Sequence, residues 1–448
     1  MPKKKLYIET YGCQMNISDS EIVGSIMADA NYEATENIKE ADVIFVNTCS
    51  IRDNAEQRVR ARLREFKSLK KKKPELIIGL LGCMAERLKD KLLIEEPHVT
   101  VIAGPDAYRD LPKLMVDVEE GQKAVNILLS SSETYEDIEP IRLDQNGVSA
   151  FISIMRGCEN YCSYCVVPYT RGKERSRNPQ TIIDEAVDLF KKGYREVTLL
   201  GQNVNSYSWE SEEDAFNFSG LIEKVAQVDP LLRVRFATSH PKDLSDELID
   251  MIARYPNICS AIHLPVQSGS TRMLAKMNRK YDRTWYLGRI DAIKSRIPDC
   301  TISTDIIAGF CTETEEDHQE TMSLMKEVGF DLAYMFKYSE RPDTAAAKRF
   351  PDDVPEEVKG RRLQEIIDQQ QQLSFESNKR DIGKTFEVLV EGFSKRSNKF
   401  LFGRTSQNKV AVFEAHDFVP GDYVKITVSD CTPATLISKV AEDIAVSE

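Results

Sequence analysis

Three cysteines crowd one short segment, Cys158-Glu159-Asn160-Tyr161-Cys162-Ser163-Tyr164-Cys165, and a loop that short brings three thiolates to one compact metal centre. No histidine or further cysteine follows nearby to close the tetrahedral site that structural zinc demands. A 4Fe-4S cubane fits three ligands better. It leaves one iron without a protein ligand, and such an iron binds and reduces a small molecule. The spacing therefore marks an active site.

Three more of the chain's 10 cysteines share one context. Cys13 lies in Thr10-Tyr11-Gly12-Cys13-Gln14-Met15-Asn16, Cys49 in Val46-Asn47-Thr48-Cys49-Ser50, and Cys83 in Leu81-Gly82-Cys83-Met84. Each follows a short run of strand-forming residues. The carboxyl ends of strands in an open parallel sheet line its ligand crevice, so cysteines distant in sequence converge there. One such cysteine reads as a small buried hydrophobe. Three in the same position read as ligands of a second cluster.

Segment 1–125 is expected to form an α/β unit with an open parallel sheet, because strand-like runs at 5–9, 42–47, 76–81 and 99–103 alternate with helical patterns. One helix is expected over 17–30, opened by the capping box Ser18-Asp19-Ser20-Glu21, and a basic helix from about Arg52. Residues 146–375 repeat the alternation with six strands, at 150–155, 197–200, 233–237, 261–264, 303–308 and 332–337. That pattern predicts a partial (β/α)6 barrel with its active site at the carboxyl ends of the strands, and the cysteine loop follows the first strand. A Gln-rich helix over 358–378 leads into 378–441. There, short strands at 386–390, 400–404, 409–413 and 423–428 predict a small β-barrel.

The formal net charge of -12 argues against a chain that is basic throughout, but phosphate contacts need only a local patch. Such a patch runs over 392–411. It carries Lys395, Arg396, Lys399, Arg404 and Lys409, no acidic residue, and the interleaved Phe393, Phe400 and Phe402. Lys3, Lys4 and Lys5 lead into no secretory apolar core, and the longest apolar run, 76–85, is half of the roughly 20 residues a membrane span needs. A cytoplasmic, monomeric protein with no membrane segment is expected. In that compartment clustered cysteines bind metal or do chemistry rather than form disulfides.

The cysteine loop resembles the signature of the radical S-adenosylmethionine enzymes. Glu9-Thr10-Tyr11-Gly12-Cys13-Gln14-Met15-Asn16, Asn47-Thr48-Cys49-Ser50-Ile51-Arg52 and Cys165-Val166-Val167-Pro168-Tyr169-Thr170-Arg171-Gly172 resemble the methylthiotransferases of that superfamily, and the likeness runs over essentially the whole chain. It implies two 4Fe-4S clusters, one on Cys13, Cys49 and Cys83 and one on Cys158, Cys162 and Cys165, with S-adenosylmethionine as cofactor. The implied reaction places a methylthio group on carbon 2 of an isopentenylated adenosine beside a tRNA anticodon.

The same resemblance implies cofactor contacts. Tyr164 is expected against the adenine, Gln202 and Asn203 at the amino group, and Ser239 and Gln267 near the ribose and methionine parts. Arg279 is expected at the carboxylate, and Asp305 and Ile307 at the adenine. Gln202 departs from the acidic residue that family members often carry, and Cys311 stands where proline is usual; it is read as a neutral loop variant. The C-terminal barrel resembles a TRAM domain. Lys395, Arg396, Lys399 and Arg404 are expected on the tRNA anticodon arm, with Arg171 on the backbone of the target nucleotide and Tyr169 stacking on its base. The partners implied are that arm, an electron donor such as a reduced flavodoxin or ferredoxin, and a sulfur donor.

Two rival readings stand beside this one. A sister methylthiotransferase would act on threonylcarbamoyl-adenosine in tRNA. A non-catalytic iron-sulfur RNA-binding redox sensor would use the cysteines and the barrel but leave the strand-end motifs unexplained.

Overall fold

The computed structural model describes residues 2–49, 53–143, 146–212 and 214–441. Its first sheet is parallel throughout, in the order Tyr32–Ala34, Lys4–Tyr11, Val43–Thr48, Ile77–Gly82, Val101–Ala103, Ala124–Asn126. Every residue of the strand Val43–Thr48 is buried because helices cover both faces. Val43 and Phe45 pack with Ile22 and Val23 of the helix Gln14–Asp29, whereas Ile44 and Val46 pack with Val59, Leu63 and Phe66 of the helix Asp53–Lys72. The edge strands Tyr32–Ala34 and Ala124–Asn126 lie outside the runs expected from the sequence, because three residues are too few to show a strand pattern. The connecting segment also packs here, with Tyr135 inside the first of these cores.

The expected capping box is corrected. The helix begins at Gln14, with Cys13 as its N-cap, so Ser18, Asp19, Ser20 and Glu21 lie mid-helix and are buried. Asn16 accepts the Cys13 amide hydrogen at 3.2 Å instead. The reason is tertiary, since these polar residues are held by partners from other segments: Asn47 for Ser20, Arg156 and Arg171 for Asp19, Arg142 for Glu21.

The central unit has six parallel strands in chain order. Ser149–Ser153, Glu196–Leu200 and Arg233–Ala237 pair in one sheet, and Ala261–His263, Thr301–Ala308 and Leu332–Lys337 in another. A bridge between Val234 and Ile258 joins the halves. Their common core holds Ile152, Leu199, Val234, Ile262, Ile306 and Phe330. The helix Gln14–Asp29 packs against the strand Ser149–Ser153, on the side where the barrel stays open.

Five antiparallel and parallel strands close the C-terminal barrel: Thr385–Ser394, Ser397–Thr405, Val410–Glu414, Tyr423–Cys431 and Leu436–Val440. The last strand was not anticipated, because Ser438 and Lys439 interrupt its apolar pattern. This barrel covers the amino ends of the central strands. Arg233 donates to the Arg404 carbonyl at 2.7 Å, Arg235 to the Thr405 carbonyl at 2.8 Å, and Thr301 to the Gln407 carbonyl at 2.6 Å. Glu196 sits beneath them; burial raises its carboxyl, but Arg235, Arg404 and Arg233 outweigh burial and hold it below the usual range. With the amino ends capped in this way, the carboxyl ends are left facing the first sheet. Among the described residues, no helix is long and apolar enough to cross a membrane.

Candidate active site

Strand register brings the first cysteine trio together. Tyr11 pairs with Thr48 and Thr48 with Gly82, so three strands finish at one level and Cys13, Cys49 and Cys83 follow directly. Sheet order places Lys4–Tyr11 between a strand that follows it and one that comes later still, the switch point where open α/β sheets form their crevice. Asn47 ties the loops, donating to the Asn16 carbonyl at 2.9 Å and to Ser20 at 3.0 Å. A hydrogen bond from Cys49 pulls the Cys13 thiol down to about 6, against its own burial and with help from Arg171. Burial pushes the Cys83 thiol up, and Arg171 opposes it.

The second trio occupies a braced loop. Ser163 donates from its amide to the Met277 carbonyl at 2.9 Å and from its hydroxyl to the Lys276 carbonyl at 2.8 Å, while Asn278 donates to the Tyr161 carbonyl at 2.8 Å. Burial lifts Cys158 to about 11 and Cys165 to about 12. Thiols held that high ligate only where a metal's charge drives the proton off. Each trio is entered through a glycine that no other residue replaces. Gly82 has φ +87° and Gly157 φ +78°, and a Cβ on them would lie 2.7 Å from the Thr48 carbonyl oxygen and 1.8 Å from that of Lys173. The Gly-Cys dipeptides were therefore a legible signal that the sequence reading did not use.

Each trio also has one arginine at 3.2 Å from a sulfur. Arg279 donates from Nη1 to Cys162 Sγ, from Nη2 to the Pro265 carbonyl at 2.8 Å and from Nε to the Tyr281 hydroxyl at 2.9 Å. All three of its nitrogens are engaged, so it braces the cluster loop rather than facing open space for a carboxylate. Arg171 donates from Nε to Cys83 Sγ and from Nη2 to Asp19 at 2.6 Å.

This corrects the expectation of an RNA contact for Arg171, which is 3% exposed and beyond the reach of a phosphate. Arg175 and Arg177 are likewise buried, on Asp106 and Glu185. Arg404 is corrected too: it bonds Glu391, Asn408 and Glu196, and so holds the barrel rather than a nucleic acid. Asp19, Asp106 and Glu196 come from segments remote in sequence, so nothing beside these arginines marks them as paired with those carboxylates.

The remaining candidates gather at the strand ends. Asn203 donates to Asp243 at 2.7 Å, but its Oδ1 is buried without a partner, as are Gln202 Oε1 and Ser239 Oγ. A cluster of unsatisfied acceptors fits a cofactor that carries ammonium and hydroxyl donors. Gln267 has φ +72° and pairs through its backbone with Asp305 and Ile307, fixing the fourth and fifth strand ends together. Asp305 lies 3.5 Å from His263. Tyr164 sits edge-on to Phe310, in a cluster with Cys311 and Ile307. Tyr169 is exposed, as are Lys395, Arg396, Lys399, Phe393 and Phe400 on the barrel hairpin.

One element links the two trios. The helix Val167–Arg171 starts two residues after Cys165, packs on the helix Cys83–Leu88, and ends at the arginine that touches Cys83. Five helical residues span about 7.5 Å. A six-stranded parallel sheet and an open six-stranded barrel, each followed by three cysteines at strand ends and joined through the Arg171–Cys83 contact, define a two-site iron-sulfur protein of the radical S-adenosylmethionine class.

Comparison with known proteins agrees. Residues 5–104 match the family model described as Uncharacterized protein family UPF0004, residues 152–325 the Radical SAM superfamily, and residues 379–441 the TRAM domain. The chain is 58% identical to a protein of Parabacteroides distasonis, over 98% of this chain and 96% of that one, named tRNA-2-methylthio-N(6)-dimethylallyladenosine synthase. A protein of the same name from Porphyromonas gingivalis strain W83 is 56% identical, over 98% and 96%. The chain belongs to the tRNA-2-methylthio-N(6)-dimethylallyladenosine synthase family. Among solved structures it shares its fold with the radical S-adenosylmethionine methyltransferase TsrM of Kitasatospora setae, at TM-score 0.57 and 13% identity over 77% of this chain and 75% of that one.

Proposed function

We propose that this protein is a tRNA methylthiotransferase that replaces the hydrogen on carbon 2 of an isopentenylated adenosine next to the anticodon with a methylthio group. The observation that carries it is the placement of two three-cysteine sites at opposite ends of the helix Val167–Arg171. An aromatic carbon-hydrogen bond yields to no ordinary acid or base. When bound, a reduced cluster and S-adenosylmethionine supply the one-electron chemistry that breaks such a bond.

The chain's own residues hold and orient. Cys158, Cys162 and Cys165 take one 4Fe-4S cluster, and Cys13, Cys49 and Cys83 the other. Gln202, Asn203 and Ser239 accept from the cofactor's donors, Gln267, Asp305 and Ile307 present backbone and carboxylate at its nucleoside, and Tyr164 packs beside them. The working units are 1–125, 146–375 and 378–441. The exposed Lys395, Arg396 and Lys399, with Phe393 and Phe400, grip the anticodon arm, and Tyr169 stacks on the base once it is turned out of the loop. The protein acts in the cytoplasm as a monomer, with a flavodoxin-like or ferredoxin-like reductant and a separate sulfur donor.

Mass analysis of tRNA nucleosides from a strain lacking the gene tests the reading. Loss of the methylthio group from isopentenyl-adenosine alone is the expected result; loss from threonylcarbamoyl-adenosine would point to the sister activity.

A further inference from the structure

Arg171 differs from its counterpart Arg279 in one respect. Its Nη1 is buried and has no acceptor among the described residues, whereas all three Arg279 nitrogens have one. A guanidinium carries five N–H donors in a rigid plane. Here Nε is committed to Cys83 and Nη2 to Asp19, which fixes the plane and leaves Nη1 aimed from a known position. Tyr108 lies in the same neighbourhood, completely buried, with its hydroxyl also lacking a partner. An enclosed, unpaired donor on the arginine that touches Cys83, with a second unpaired group near it, is costly unless something accepts from it.

We propose that Arg171 Nη1 forms an anion-holding position beside the Cys13, Cys49 and Cys83 site, and that it seats a small sulfur anion such as hydrosulfide or methanethiolate at that site. Arg171 is thus a positioning residue. Asp19 and Cys83 keep the guanidinium in place, and the free edge supplies a charge-assisted hydrogen bond to the incoming sulfur. A thiolate is preferred to a neutral ligand of the same size, because a buried cation with unused donors favours negative charge. The inference rests on the second cluster proposed above.

The test uses the full-length chain carrying Cys158→Ala, Cys162→Ala and Cys165→Ala, reconstituted anaerobically and reduced with dithionite so that the one remaining cluster is visible by electron paramagnetic resonance. Titration with methanethiolate is compared with titration by neutral imidazole. Arg171→Met is expected to keep its iron, to weaken methanethiolate binding about tenfold, and to leave imidazole binding within about twofold. Unchanged methanethiolate affinity overturns the proposal, since Nη1 would then serve only water or the cluster itself. An equal loss for both ligands also overturns it, by showing a merely structural role. Should the methionine variant lose its iron, Arg171→Lys decides. One ammonium cannot serve Cys83, Asp19 and a ligand together, so a selective loss of about threefold is expected, and none overturns the proposal. If the parent chain with Arg171 intact holds no iron, the two-cluster reading itself has failed, which is a separate outcome.

Discussion

Arg171 and Cys83 are 88 residues apart in sequence, and their Nε and Sγ atoms stand 3.2 Å apart. The contact crosses from the central unit to the N-terminal sheet, so the fold of one sets the electrostatics of a site in the other. Asp19 completes it. Burial raises the Asp19 carboxyl, but Arg171 and Arg156 outweigh burial and hold it below the carboxylate range. The interface is thus specified by charge: Asp19 takes Arg156 and Arg171, and Asp106 takes Arg175, all nearly inaccessible to water.

Removing one partner from that network strands the others. Asp19→Asn is expected to destabilise the protein by about 3–5 kcal/mol, because the enclosed Arg171 loses its carboxylate and Arg156 is left with Asp106 alone. Glu33→Gln, which breaks an exposed pair with Lys5, is expected to leave stability unchanged. Urea unfolding of both variants checks this. Equal effects would remove the network from the account of docking.

The two trios are separable in iron. Cys13→Ala, Cys49→Ala and Cys83→Ala together are expected to lower the reconstituted content from about eight to about four irons per chain. Iron and sulfide analysis gives the answer, and a drop to zero would mean the trios depend on each other.

RNA binding divides the basic residues of the barrel. Changing Lys395, Arg396 and Lys399 to alanine is expected to reduce the slope of log affinity against log salt by about 2. Arg404→Ala is expected to leave that slope unchanged while lowering stability, since its guanidinium bonds Glu391 and Glu196. Filter binding of an anticodon stem-loop across potassium chloride concentrations separates the two classes.

Glu86 gives the pH dependence a testable sign. It is 3% exposed, and burial foremost lifts its carboxyl from 4.5 to about 7, with Lys89 opposing and Asp106 adding to the lift. The folded chain therefore holds this proton more tightly than the unfolded one. Stability from Glu86 is complete below about pH 4.5 and declines as pH rises toward 7, by up to about 1.4 kcal/mol per pH unit. Glu86→Gln is expected to flatten the anaerobic urea midpoint across that window. An unaltered slope would assign the dependence to another group.

Much of this protein is written in short, local patterns. Cys158, Cys162 and Cys165 share a loop, so their convergence needs no tertiary information. The strands at Glu196–Leu200, Arg233–Ala237 and Leu332–Lys337 were legible to within a residue; the first two are buried over nearly their whole length, whereas Leu332–Lys337 buries only Ala333 and was marked by its aromatic and apolar residues. The position of Cys13, Cys49 and Cys83 after strands was equally readable, since strand ends in a parallel sheet lie on one edge.

Which charges face water was decided only by tertiary structure. Arg171 and Arg404 read as solvated cations, but Arg171 is enclosed with Asp19, and the partly buried Arg404 is held by Glu391 of the paired strand and by Glu196 of the central unit. The strength and direction of an ion pair depend on distance through space and on burial, and neither is a property of neighbours in sequence. For the same reason the chain alone announced two clusters but not the arginine that stands between them.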